Sequence, residues 1–216
     1  MPLAGLLLDL LEGLCVSAEI FALTLLFALP LGLVVAFGRM SRWWALRQVS
    51  RVFVSVMRGT PLMLQLFFFY FGPYYIFGIP LKPSYRFAAC IIAFSLNYSA
   101  YFAEIYRAGI ESIPAGQHEA AKMLGFTRPQ TFFRIVLPQV VKRILPPVTN
   151  EVITLVKDTS LAFTLSVMEM FTVAKMAASA HTTMLPFVVA GAFYYVFNYL
   201  VAWGMERIEK MLSYYR

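Results

Sequence analysis

The chain has 216 residues, of which 60% are hydrophobic and 13% charged, with a mean hydropathy of +0.71 and a formal net charge of +7. A water-soluble domain of this size cannot hide that much apolar surface, so the composition excludes a soluble enzyme or binding module and defines an integral membrane protein. The positive charge, which in a soluble chain would raise the question of nucleic acid, follows here from membrane topology, and no nucleic-acid partner is expected.

In chain order, the opening MPLAGLLLDLLEGLCV lacks a basic leader region and carries Asp9 and Glu12, so a cleaved signal peptide is not expected. Its apolar positions fit a short helix lying along the surface ahead of the first span. Apolar runs then follow at about 18–37, 52–71, 87–105, 148–168 and 185–204. Each is close to the ~20 residues that cross ~30 Å of hydrocarbon. Lipid offers the backbone no water to bond with, so each run is read as a helix. The expected fold is an all-α membrane protein, a single transmembrane domain of five helices over 1–216. Cys15 and Cys90 lie in or beside apolar runs and are read as small core thiols. His118 and His181 are isolated, and Met168, Met170, Met176 and Met184 have no Cys or His at ligand spacing, so no metal site is expected.

After the first run come Arg39, Arg42, Arg47, Arg51 and Arg58 with no acid among them. The excess of basic residues on cytoplasmic loops places this loop inside and the amino terminus outside. Five crossings bring Arg107, Lys122, Arg128, Arg134, Lys142 and Arg143 to the same side, together with Arg207, Lys210 and Arg216 near the carboxyl terminus. The outer side keeps Lys82, Arg86 and Lys175, and four or six crossings spoil that asymmetry. Trp43, Trp44, Tyr74 and Tyr75 suit interfacial belts. No internal repeat is visible, so the inverted-repeat plan of many secondary transporters finds no support.

The stretch between the third and fourth runs, about 112–138, is too long and too patterned for a minimal connection. Ser112, Pro114 and Gly116 suit the start of a short helix. Glu119 is expected in its first turn, complementing the macrodipole, and Gly125 suits a left-handed stop. Ala120, Ala121 and Leu124 form a narrow face that lets another backbone approach. Such a helix either plugs into a groove on a partner or covers the inner end of the bundle. Pro138, Pro146 and Pro147 are expected to divide the return to the membrane into a short segment and a restart.

Glu119, Ala120, Ala121, Gly125, Ile135, Leu137 and Pro138 reproduce a long signature: EAA, three residues, G, nine residues, I, one residue, LP. With RGTPLMLQLFFFYFG (58–72), SAYFAEIYRAGIESIPAGQ (99–117) and LPPVTNEVITLVKDTSLAF (145–163), the chain resembles the membrane permeases of bacterial ATP-binding-cassette importers. The similarity extends over about 17–212 and lies with the branch that carries polar amino acids such as histidine, glutamine, arginine and cystine. The resemblance implies the transmembrane fold of a type I importer in the bacterial cytoplasmic membrane. It also implies a coupling helix set in a cleft of an ATPase, carried over here to Gly116, Glu119, Ala120, Ala121, Leu124, Gly125 and Phe126. Further partners implied are a second permease subunit, identical or paralogous, two ATPase subunits, an extracytoplasmic solute-binding protein and membrane lipids. The chain has no G-x-x-x-x-G-K-[ST] phosphate loop. ATP and magnesium are therefore expected on the partner ATPases, with no cofactor and no catalysis in this subunit.

In the fourth run Asn150, Thr154 and Asp158 recur at i, i+4, i+8, and Glu151, Thr154 and Asp158 at i, i+3, i+7, which makes one polar stripe. Charged groups inside a span face a bundle interior or a water-filled path, so this run is placed at the translocation axis. Glu151 is read either as the contact for a substrate ammonium or as half of an ion pair near the bend after Pro146 and Pro147. Lys157 is matched with Asp158 of a neighbouring subunit or with Glu104. Asn97, Tyr98, Ser99 and Glu104 make a second polar patch with the same two readings. Arg58, Gly59, Thr60 and Pro61 read as a Thr-Pro break anchored by a snorkelling arginine. Two rivals stay open: an ion-coupled secondary transporter with Glu151 and Asp158 as proton carriers, and a channel or anchor subunit that recruits a partner through the 112–138 loop.

Overall fold

The computed structural model describes residues 3–212, and no strand occurs among them. Among these described residues nine α-helices follow one another: α1 Leu3–Arg39, α2 Trp44–Gly59, α3 Leu62–Phe77, α4 Tyr85–Glu111, α5 Ala115–Met123, α6 Arg128–Thr131, α7 Leu137–Asp158, α8 Met170–His181 and α9 Leu185–Leu212. α1, α4 and α9 are each long and apolar enough to cross a membrane. Two bent pairs, α2 with α3 and α7 with α8, qualify jointly, which makes five crossings when each pair is one span.

The expected surface helix ahead of the first span is not a separate element. α1 is continuous over 37 residues, ~55 Å at 1.5 Å per residue. Leu6 and Leu10 explain why: both are buried against Met170, Ala174 and Ala190 of α8 and α9, so the first turns have a protein face to join.

The run 52–71 does not form one helix either. α2 and α3 meet at 112°, because Pro61 has no N–H to continue the ladder and drives Thr60 into extended backbone, φ −119° and ψ 147°. Pro146 and Pro147, in contrast, sit inside α7 without the expected restart. A proline φ near −65° is itself helical, and the two missing donors leave only the carbonyls of Lys142 and Arg143 outside the ladder. The irregularity falls earlier, in a π-helical turn over Phe132–Val136. Pro138 lies in the first turn of α7, where no intrahelical donor is needed. Beyond Asp158 a 3₁₀ stretch over Thr159–Leu165 leads to α8, bent by 57°.

The centre of the bundle is α1 lying along α4. Gly32 makes that approach close: a Cβ there would stand 2.8 Å from the Phe102 Cβ and 3.1 Å from the Ser99 carbonyl. Ile20, Ala28, Leu66, Phe94, Phe102 and Leu155 fill the core between α1, α3, α4 and α7. Outside, Leu26, Phe27 and Val34 of α1 and Val188, Tyr199 and Leu200 of α9 are exposed, an apolar surface suited to lipid. Cys90 is buried as expected, whereas Cys15 faces outward and is no core thiol.

Candidate functional site

The 112–138 loop is built from short-range hydrogen bonds. Pro114 precedes α5, whose fixed φ suits a helix start, and Gly116 falls in the first turn. At the far end the Phe126 N–H donates to the Ala121 carbonyl and the Gly125 N–H to the Lys122 carbonyl, both at 3.0 Å. This six-to-one and five-to-two pair is the Schellman stop, which needs a left-handed residue, and Gly125 supplies it at φ +77°. The Thr127 N–H then donates to Gln130 at 2.9 Å to open α6.

Two expectations for this helix need correction. Glu119 is the fifth residue of α5 and stands in the second turn, because the helix begins only after Pro114. Ala120, Ala121 and Leu124 do not share one outward face: Ala121 is 1% exposed, turned in toward α6 and the π-helical turn, while Ala120 and Leu124 face out. The knob of the loop is Met123 and Leu124, 87% and 75% exposed, with Phe126 half-buried behind them. Met123 occupies one of the three unspecified positions of the signature, so no motif pointed to it. A cavity of about 660 Å³ lies behind α5, lined by His118, Lys122, Phe126 and Arg128.

At the same end of the bundle, Glu104 of α4 collects three cations, one each from α1 and α2 and one from the next turn of α4 itself. Arg39 reaches it at 2.6 Å and Arg107 at 2.9 Å, with Arg58 at 3.8 Å. Arg58 also lies 5.2 Å over the Tyr101 ring. Lys157 makes no contact with Glu104 and is exposed.

The Thr60–Pro61 break is closed by two buried amides. The Gln65 Nε2 donates to the Met57 carbonyl at 2.9 Å and to the Thr60 hydroxyl at 2.8 Å. Asn97 donates to the same Met57 carbonyl and to the Gln65 Oε1, each at 3.0 Å. Both hydrogens of the Asn97 amide are therefore engaged at the break, so the second polar patch divides: Asn97 serves this joint, Glu104 the arginine cluster, Tyr98 the Asp158 carboxylate of α7, and Ser99 the Leu96 carbonyl of its own helix.

The stripe on α7 is brought together only in part. Asn150 is exposed, while Glu151, Thr154 and Asp158 are half-buried. The Thr154 hydroxyl donates back to the Asn150 carbonyl at 2.9 Å, and Asp158 accepts from the Tyr98 hydroxyl at 2.7 Å. Glu151 makes no hydrogen bond or ion pair among the described residues.

A further site was missed from the sequence. Glu169, just ahead of α8, is fully buried. It accepts the N–H groups of Phe171 and Thr172 and the Thr172 hydroxyl, each at 2.7 Å, and the Tyr194 hydroxyl at 3.0 Å. Ser17 of α1 bonds it at 3.5 Å and accepts the Met170 N–H at 3.2 Å. One carboxylate thus ties α1, α8 and α9. Glutamate is not a preferred helix cap, so local pattern rules pass over it.

These features define a polytopic, all-helical membrane protein with a protruding loop at one end and a half-buried polar stripe on α7. The profile of a family described as "Binding-protein-dependent transport system inner membrane component" matches residues 28–214, and the chain belongs to that family. It is 39% identical over 206 residues to the L-cystine transport system permease protein TcyB of Bacillus subtilis (strain 168), covering 94% of this chain and 86% of that protein. The octopine transport system permease protein OccM of Rhizobium radiobacter is 42% identical over 188 residues, 82% of this chain and 76% of that one. Among solved structures, that of an amino acid ABC transporter with histidines superposes with a TM-score of 0.88 at 28% identity, covering 97% of this chain and 96% of that chain. The fold is that of a type I importer transmembrane domain.

Proposed function

We propose that this chain is the permease subunit of an ATP-driven importer that carries a polar amino acid across the bacterial cytoplasmic membrane by alternating access. The observation that carries this reading is α5: a glycine-stopped helix of 9 residues that presents Met123 and Leu124 bare of any cover. An exposed apolar knob of that kind fits a groove on a soluble partner. Two ATPase subunits that hold ATP and magnesium are the fitting partners, since this chain has no phosphate loop. Relatives named for cystine and octopine transport, and the structural likeness to an amino acid transporter, support the substrate class.

In this reading the basic loop between α1 and α2, the α5 loop and the carboxyl-terminal end face the cytoplasm, with the amino terminus outside. A solute-binding protein delivers the amino acid to the outer face. A second permease subunit, identical or paralogous, completes the path, because one five-span bundle cannot enclose a hydrophilic channel. Glu151 takes the substrate ammonium, with Asp158 and Thr154 along the same stripe. Asn97 and Glu104 hold the inner end of α2 in place. ATP-driven closure of the ATPases moves the two bundles between inward-open and outward-open arrangements.

Gly125→Val tests this directly, because a β-branched residue is strongly disfavoured at φ +77°. The variant should insert into the membrane in normal amount, lose its ATPase on purification, and lose most uptake. Normal recovery of the complex with normal uptake would refute the coupling role of α5. A proton-coupled transporter working alone would leave the bare α5 knob without a purpose.

A further inference from the structure

α2 branches away from α3 at 112°, so when α3 crosses the bilayer α2 must lie across its face. Its surface is divided to suit that position. Along one side Val49, Val52 and Val56 recur at spacings of three and four and are 68%, 61% and 49% exposed. Nearly opposite, Ser50 and Val54 are buried, Val54 against Ala36 of α1 and Ala100 and Ala103 of α4. On the flank between these faces stand Arg47 and Arg51, one turn apart, with Trp44 beside them and Arg42 and Trp43 just ahead of the helix.

The arginines of this region divide into two groups. Arg39 and Arg58 converge on Glu104. Arg42, Arg47 and Arg51 are exposed and make no ion pair or side-chain hydrogen bond among the described residues, and no acid occurs anywhere from 39 to 58. Three unmatched cations bordering a bare valine face, with two exposed tryptophans at the helix start, are complementary to one kind of surface: anionic headgroups above acyl chains.

We infer that α2 is an interfacial helix that binds anionic phospholipid, with Arg42, Arg47 and Arg51 on the phosphates and Val49, Val52 and Val56 against the chains. α2 ends in the Arg58–Pro61 joint that touches Glu104 and Gln65. The inference needs the chain to be embedded with α3 crossing the membrane, and it holds whether or not an ATPase is the partner.

The test is retention of lipid by the full chain, purified with whatever accompanies it. Nanodiscs of phosphatidylcholine containing a fraction of phosphatidylglycerol are the probe, and bound lipid is counted by native mass spectrometry. The wild-type chain should retain phosphatidylglycerol selectively. Each of Arg42→Gln, Arg47→Gln and Arg51→Gln should weaken that selectivity about fivefold, whereas the triple lysine variant, which keeps the charge, should keep it. No selectivity in the wild type, or equal retention by the triple glutamine variant, would overturn the inference. Efficient cross-linking between copies through cysteine placed at Val52 would also overturn it, since a second copy would then cover the face assigned to lipid.

Discussion

The two sharp bends of this molecule, from α2 to α3 and from α7 to α8, are closed with opposite chemistry. At Thr60–Pro61 the break ends a helix, so carbonyls are freed, and the groups that meet them are donors: the amides of Gln65 and Asn97. At Ser166–Glu169 the break opens a helix, so N–H groups are freed, and the group that meets them is an acceptor, the Glu169 carboxylate. The polarity of the helix end decides the side chain, since backbone groups in a membrane have no water to turn to. A corollary concerns charge: the side chains that close the first joint are neutral amides, while the second is closed by a buried carboxylate that makes no ion pair among the described residues and is held only by dipoles.

The sharpest way to break this comparison is Glu169→Leu. It removes a cap and leaves buried donors unpaired, so a loss of about 3 kcal/mol or more is expected, read as a large drop in the thermal midpoint of the purified chain. Glu169→Gln keeps one acceptor oxygen and should fall between. Next in size is Gly13→Ala, because a Cβ there would stand 2.7 Å from the Met170 backbone, and the joint between α1 and α8 must open; about 1–3 kcal/mol is expected. Gln65→Leu should cost about 1–2 kcal/mol, less than Glu169→Leu, since Asn97 still serves the Met57 carbonyl. If Gln65→Leu proved the more damaging, the ranking of the two joints would be reversed. Smallest in stability is Glu151→Gln, a half-buried residue outside both joints. It should leave the thermal midpoint nearly unchanged while lowering uptake, and unchanged uptake would remove Glu151 from the path.

Much of the architecture was legible in the chain. Helix class, the placement of the runs at 87–105 and 185–204, and the Gly125 stop follow from hydropathy length and from glycine chemistry. The failures share a cause. Leu6 and Leu10 joined α1 because α8 and α9, distant in sequence, offered them a face. Pro61 broke its helix and Pro146 did not, because a backbone break needs neighbouring donors such as Gln65 and Asn97 to sustain it. For Asn97 and Glu104 the sequence left two readings open, substrate path or structural contact, since a polar group inside a bundle looks the same whether it serves a substrate or a neighbouring protein group. Glu169 carried no motif: its partners Ser17 and Tyr194 lie 152 and 25 residues away.

The central claim is that this chain couples to an ATPase through α5. The most direct measurement is affinity purification of the tagged chain from its native membrane in mild detergent, with identification of the co-purifying chains and assay of ATP hydrolysis. The account predicts a phosphate-loop ATPase in the preparation, lost when Met123 and Leu124 are both changed to aspartate while the amount of membrane-inserted chain is unchanged. A chain that comes out alone and drives uptake from an ion gradient in liposomes would contradict it.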